Sequence, residues 1–395
     1  MTQNFEQSDM LKRLPEQFFA KLVGRTQEFK QQGHDVINLG QGNPDLPTPD
    51  HIIQEVQEAA KNPANHKYAP FRGFHYFKEA AANYYKREYG VSLDPETEIA
   101  VLFGGKAGLV EISQCLLNPN DTALLPDPGY PDYMSGIAMA DADPYFMPLQ
   151  KDNHFLPDYS TIPGETLNQA KLMFLNYPNN PTAVTANKDF YDETVKLAKD
   201  HHICVVQDFA YGALGFDGQK PQSFLQSEGA KDIGIEIYTL SKTYNMAGWR
   251  VAFAAGNPSV IEALNKIQDH MYVSLFGAIQ SAAAKALNSD QSAVQRLIDT
   301  YTERRDRFIR AIREIGWDVD TPEGSFFAWL PVPSNYTSEE FSNLLLENAH
   351  VVVAPGRGFG KYGDGYVRVG LLESAERLEE AAARIGRLGI FRKGE

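Results

Sequence analysis

Cysteine is scarce. The 395 residues hold two, Cys115 and Cys204, with no spacing that would gather metal ligands around them. Cys204 sits in an apolar, strand-like run, which predicts a buried free thiol, and this usage fits a reducing cytoplasm. Long apolar runs are missing as well. None reaches the length of a membrane span, and residues 1–6 carry no apolar core of the signal-peptide kind. Positive charge is in deficit: 37 Lys and Arg stand against 51 Asp and Glu, a formal net charge of −14. That balance argues against nucleic acid or an anionic membrane surface as the main partner. It leaves room for small anionic ligands in a locally basic pocket. There is no internal repeat, low-complexity tract or flexible linker. What remains is the composition of a globular chain, 43% hydrophobic and 22% charged, long enough for two domains and a large core.

Residues 11–32 read as one amphipathic helix, with Leu11, Leu14, Phe18, Phe19 and Leu22 on one side and Gly33 as its stop. A short strand at 36–39 runs into Gly40-Gln41-Gly42-Asn43-Pro44-Asp45. From about residue 100 short apolar strands (99–103, 122–125, 171–175, 203–207, 235–240, 250–255) alternate with helical stretches. Such alternation predicts an α/β architecture with a mostly parallel sheet covered by helices, and ligands bind such sheets at the strand ends. Helical stretches then run to about residue 315. Short strands at 317–319, 325–330, 351–354 and 366–369, with helices at 338–347 and 374–387, predict a smaller α+β module packed with the N-terminal helix. The expected division is a large domain at 40–289 and a small one made of 1–39 and 290–395.

Five loops at the strand ends carry polar residues suited to chemistry. The run 235–240 ends in Thr239-Leu240-Ser241-Lys242-Thr243-Tyr244-Asn245-Met246-Ala247-Gly248-Trp249-Arg250. A lysine at the mouth of a buried strand, with hydroxyls on both sides, suits a Schiff base to an aldehyde cofactor, and burial beside a cation would make its amine nucleophilic. Arg250 is placed to hold a phosphate through its planar fork. A lone Ser-Lys pair is more often a surface lysine, but the whole string is far more specific. It resembles the lysine motif of the class I/II aminotransferases, the fold-type I transferases that use pyridoxal 5′-phosphate. Gly104-Gly105-Lys106 follows a strand and opens a helix, an anion seat by geometry, and beside Lys242 and Arg250 it reads as the cradle of that phosphate.

The resemblance extends from Gly40-Gln41-Gly42 to Arg368, with the motifs in the family's order. It implies cofactor contacts from Gly105, Lys106, Thr239, Ser241 and Arg250 at the phosphate. In Asp127-Pro128-Gly129-Tyr130 it implies that Tyr130 stacks on the pyridine ring. In Asn176-Tyr177-Pro178-Asn179-Asn180-Pro181-Thr182 it implies that Asn180 bonds the phenolic oxygen. In Asp208-Phe209-Ala210-Tyr211 it gives Asp208 to the pyridine nitrogen, whose protonation draws electrons from the substrate, and Tyr211 to the phenolic oxygen. Arg368 matches the arginine that grips the substrate carboxylate through bidentate pairing, with the backbone of Gly42 close by. Tyr68 matches the tyrosine that crosses to the partner's phosphate, which implies a homodimer with shared active sites. Arg357 is assigned to solvent. Alanine stands at 183, where the family has glycine after Asn-Pro-Thr, and a turn with φ > 0 would be strained there.

The implied activity is exchange of an amino group between an L-amino acid and a 2-oxo acid, with Lys242 moving the proton between the substrate's Cα and the cofactor. Other chemistries run on the same fold, C–S lysis among them. A non-catalytic regulator half would carry a fused DNA-binding domain, which neither the early start of the enzyme-like region nor the acidic charge suggests. The chain looks like bacterial transaminases of methionine-salvage, LL-diaminopimelate or alanine type. Leu14, Phe18, Phe19 and Phe326 could line an apolar pocket favouring methionine, although ordinary core is the better reading of these four.

Overall fold

In the computed structural model, residues 2–391 are described. The strands are β1 (Ile37–Asn38), β2 (Ile99–Leu102), β3 (Thr122–Asp127), β4 (Asp143–Pro148), β5 (Ala170–Leu175), β6 (Cys204–Asp208), β7 (Gly234–Thr239), β8 (Ala252–Gly256), β9 (Phe327–Pro331), β10 (Val351–Val352), β11 (Ala354–Pro355) and β12 (Tyr366–Gly370). Seven form one sheet in the order β2-β8-β7-β6-β5-β3-β4. β3 to β7 pair parallel with their neighbours among themselves, and β8 runs antiparallel to both strands beside it. The central strands are buried along almost all of their length and mostly apolar on both faces, the pattern of a sheet covered on both sides. One cover is built on Gly105–Leu116, Tyr133–Ala140 and Pro258–Met271, the other on His75–Tyr89, Lys188–His201 and Gly277–Asn288. Both cysteines are free thiols, and burial pushes each up to about 12. No helix among the described residues is long and apolar enough to cross a membrane.

The reversed strand β8 decides how the loops at one sheet edge converge. Thr239, the last residue of β7, lies opposite Ala252, the first of β8. The chain therefore returns at once to the edge where β2, β3, β5, β6 and β7 all end, and brings Arg250 back beside Lys242. The strand expected from residue 250 starts at Ala252, because Arg250 itself is in the left-handed region at φ +56.

A second apolar cluster gathers Ile37 and Leu39 with Phe308, Ile312, Trp317, Leu345, Val369 and Leu378. β1 pairs parallel with β10, and β12 lies between β11 and β9 in an antiparallel sheet. Residues 317–319 form no strand, although Trp317 is buried and its indole donates to the Pro331 carbonyl at 2.8 Å. The single helix expected at 11–32 is broken in two, Asp9–Lys12 and Ala20–Gln31. Pro15 accounts for the break, since it lacks an N–H and disfavours helical geometry at residue 14. The arm between the two pieces crosses to the helix Tyr133–Ala140 on the large sheet: Arg13 Nε donates to the Ala138 carbonyl at 3.0 Å and lies 3.3 Å from Asp141.

Candidate active site

The loops at the shared edge enclose a cavity of about 660 Å³. It is lined by Gly42, Gly105, Lys106, Tyr130, Asn180, Asp208, Tyr211, Thr239, Ser241, Lys242, Arg250 and Arg368. Of the residues that the resemblance assigns to cofactor or substrate, Tyr68 alone lies elsewhere, 89% exposed on the surface.

One end is built to take an anion. The helix Gly105–Leu116 starts directly after β2 and points its free first-turn N–H groups at the cavity. Gly104 precedes it at φ +89, and a Cβ there would overlap the Arg250 guanidinium. Glycine is thus required both for the backbone and for the approach of the arginine. Arg250 Nη1 donates to the Ala247 carbonyl at 2.8 Å. The Thr239 hydroxyl donates to that of Ser241 at 2.8 Å. The Lys106 ammonium is 2.9 Å from the Asp132 carboxylate, so Lys106 offers this end its backbone N–H rather than an unpaired charge.

In the middle stands Lys242. Its Nζ donates to the Gly42 carbonyl at 3.0 Å and lies 5.5 Å from the Phe326 ring centre. Burial lowers its pKa to about 8; Arg368 and Arg250 push the same way, and Asp208 opposes them. Asp208 closes β6 and is buried, which raises it to about 6; the Tyr133 hydroxyl at 3.0 Å, the Ala210 N–H and the charge of Lys242 pull it back. The Tyr130 ring meets the Tyr133 ring edge-on at 5.6 Å.

At the far end is Arg368, on β12. Nη1 donates to Asn180 Oδ1 at 2.8 Å and Nη2 to the Gly40 carbonyl at 3.1 Å. Its guanidinium carbon lies 4.1 Å from the Phe327 ring centre and 4.7 Å from that of Phe359, and burial lowers its pKa to about 10. Its Nε is buried without a partner, a donor with capacity left for a ligand. A Cβ on Gly42 would sit 3.6 Å from Nη2. The Tyr211 ring packs edge-on to Phe326 at 5.3 Å and Phe327 at 5.7 Å, and burial raises its hydroxyl.

Two residues of the site were not singled out from sequence. Tyr133 holds Asp208. Asn176 ties two loops together, its amide donating to the Asp208 carbonyl at 2.7 Å while its oxygen accepts from the Asn180 N–H at 2.7 Å. Tyr133 lies three residues past Tyr130, and Asn176 opens the run that holds Asn180. Their places just after strands were the available signal. Phe18 and Phe19 line the cavity beside Gly358 and Phe359, whereas Leu14 and Phe326 do not. Arg357 is exposed. Ala183 is buried at φ +63, the left-handed geometry that its place after Asn-Pro-Thr calls for.

An amine of lowered pKa set between a buried carboxylate and a buried guanidinium, beside an anion seat, is the site of an amino-group-transferring enzyme. A model of the aminotransferase class I and II family matches residues 34–385, and the chain belongs to this family. It is 66% identical to the L-glutamine–4-(methylsulfanyl)-2-oxobutanoate aminotransferase of Bacillus subtilis strain 168, over 98% of this chain and 97% of the relative. An LL-diaminopimelate aminotransferase of Desulforudis audaxviator is 43% identical, with 97% of each covered. The substrate-bound structure of BacF from Bacillus subtilis superposes with a TM-score of 0.94 at 50% identity, covering all of both chains. The protein is an aminotransferase.

Proposed function

We propose that the cavity holds pyridoxal 5′-phosphate and that the enzyme transfers the amino group of L-glutamine to 4-(methylsulfanyl)-2-oxobutanoate, forming methionine. The observation that carries this reading is the placement of Lys242 between Asp208 and Arg368, with an aromatic wall of Phe18, Phe19 and Phe359 next to Arg368. The residues present fit the cofactor. Arg250, Thr239, Ser241 and the N–H groups of Gly105 and Lys106 would hold its phosphate. Tyr130 would stack on its ring, and Asp208 would face the ring nitrogen. Tyr211 and the amide NH2 of Asn180 would face its phenolic oxygen, because Asn180 Oδ1 is already taken by Arg368.

Bound there, the cofactor supplies an electron sink for the pair released at the substrate's Cα. Lys242 would be the residue that holds the cofactor's aldehyde carbon, since an amine of pKa about 8 is partly neutral near neutral pH. The same amine, when free, would be the base that takes the substrate's Cα proton and the acid that gives it back. Asp208 would face the ring nitrogen as a carboxylate and favour its protonated form. Arg368 pairs with the α-carboxylate and so fixes the Cα–H bond towards Lys242. The aromatic wall suits an uncharged, unbranched side chain, a description that fits a thioether and a carboxamide alike.

Residues 40–289 would form the cofactor-binding unit, and 1–39 with 290–395 the unit that brings Arg368 and the arm to it. The active form would be a homodimer. Tyr68, Phe71, Met271 and Phe276 are exposed on two segments joined by Tyr76 to Gly277 at 3.1 Å and Arg72 to Asp269 at 3.4 Å. An apolar face of that kind marks an interaction surface, and there Tyr68 would serve the partner's phosphate. Two free, half-buried thiols fit a cytoplasmic enzyme. A donor panel with 4-(methylsulfanyl)-2-oxobutanoate as acceptor tests the assignment. L-glutamine should lead it, and preferential use of LL-diaminopimelate with 2-oxoglutarate would overturn it.

A further inference from the structure

Asp127 closes β3 but does not line the cavity. Its carboxylate is buried and accepts the backbone N–H groups of Lys361 at 3.0 Å and Tyr362 at 2.9 Å. Two residues on, the Gly129 N–H donates to the Phe359 carbonyl at 2.8 Å. Gly360 lies against the same carboxylate at φ +138, and a Cβ there would overlap it. Residues 359–362 are thus fastened to the end of a strand of the large sheet. The fastened stretch carries Phe359, whose ring backs the Arg368 guanidinium at 4.7 Å and packs on Phe19 at 5.1 Å. Its neighbour Gly358 leaves room for Phe18, which a Cβ there would overlap.

We infer that Asp127 is a positioning residue for substrate: through the Lys361 and Tyr362 N–H groups it sets where Phe359 stands, and through Phe359 the pose of Arg368 and of the aromatic wall. Two N–H bonds to one carboxylate are charge-assisted and hold a loop more firmly than neutral ones. Burial pushes the Asp127 carboxyl up, and the two N–H bonds pull it back; two donors aimed at its two oxygens suit the acceptor-only carboxylate. The residues that would hold the cofactor's phosphate lie at the other end of the cavity. Loosening this clamp should therefore weaken amino-acid and oxo-acid binding together and leave cofactor binding alone.

The test uses the holoenzyme with Asp127→Asn and, independently, Lys361→Pro. The second change removes the donor and sets the proline ring against the carboxylate that accepted from it, at the first position of the short helix Lys361–Gly363 where proline's backbone geometry is tolerated. Each variant should raise KM for both amino donor and oxo acid about tenfold, the size expected from one charge-assisted hydrogen bond, with kcat within about threefold of wild type. The dissociation constant of a non-reacting 2-methyl amino acid, read from the cofactor's absorbance, should rise in parallel, and that of the cofactor should not move. The double variant should be little worse than either single one, since both cut the same tie. A fall in melting temperature with unchanged KM would make Asp127 a mere brace and overturn the inference, as would a fall in kcat at constant KM or additive effects in the double variant. Should Asp127→Asn fail to fold, Lys361→Pro is read alone by the same criteria.

Discussion

The Lys242 ammonium and the Gly42 carbonyl, 200 positions apart in sequence, meet at 3.0 Å. The same glycine runs alongside the Arg368 guanidinium. One stretch of backbone thus separates the amine from the arginine and aims both into the cavity. The cationic arginine is close enough to depress the amine, second only to burial among the causes.

That proximity predicts a pH dependence for loading the apoprotein with pyridoxal phosphate. Only neutral Lys242 attacks the aldehyde, and its neutral fraction grows as pH rises through about 8. The reconstitution rate should rise with a midpoint near that pH. Arg368→Gln removes the neighbouring cation and should move the midpoint upward. A wild-type midpoint near 10.5, the ordinary lysine value, would show that the amine is not depressed.

Ala183 tests backbone strain. A non-glycine residue in left-handed geometry costs roughly 1–2 kcal/mol, which glycine would relieve. Ala283 is equally buried but lies inside the helix Gly277–Asn288, where glycine costs about 1 kcal/mol. Chemical denaturation should show Ala183→Gly more stable than Ala283→Gly by about 2 kcal/mol. Equal losses at the two positions would remove the strain argument.

The sheet was legible in the sequence because its strands are short, mostly apolar runs bounded by Gly, Pro, Asn and Asp, and the motif loops sit where those runs end. What escaped was set by direction and by distance. Nothing local to residues 250–256 says that β8 runs antiparallel, yet that reversal returns Arg250 to Lys242. The apolar spacing of 11–22 continued across Pro15, so a helix was read through a break. Phe18 and Phe19 were recognisable as apolar, but the pattern does not say whether an apolar ring faces a core or a cavity. Tyr133 and Asn176 act through Asp208, which lies in a different loop.

Glu236 predicts the acid side of the stability curve. It is fully buried on β7 and accepts from Ser223 and Tyr85 hydroxyls at 2.8 Å and from the Phe224 N–H at 2.5 Å. Burial raises it from 4.5 to about 7 against the pull of these donors. A raised folded-state pKa means that its contribution to stability is full below about 4.5 and is lost as pH climbs through about 7. Glu236→Gln, neutral like the protonated acid, should escape the loss of stability that wild type suffers as pH climbs through about 7, and so flatten the pH dependence between these values. An unchanged slope in denaturation curves taken across that window would contradict the assignment.

Tyr68 predicts complementation between subunits. In a mixture of Tyr68→Phe and Lys242→Ala chains, each hybrid dimer would have one intact site. Random assortment should bring activity to roughly a quarter of wild type, above either parent. A mixture no more active than its parents, or a fully active monomer in sedimentation, would count against a shared site.

The assignment of Lys242 is tested most directly by chemical trapping. The reconstituted enzyme should be yellow, and borohydride should bleach it while fixing the cofactor to the protein. Digestion and mass spectrometry should then place the added mass on Lys242. Finding it on Lys106, the other lysine lining the cavity, or on no lysine, would contradict the account.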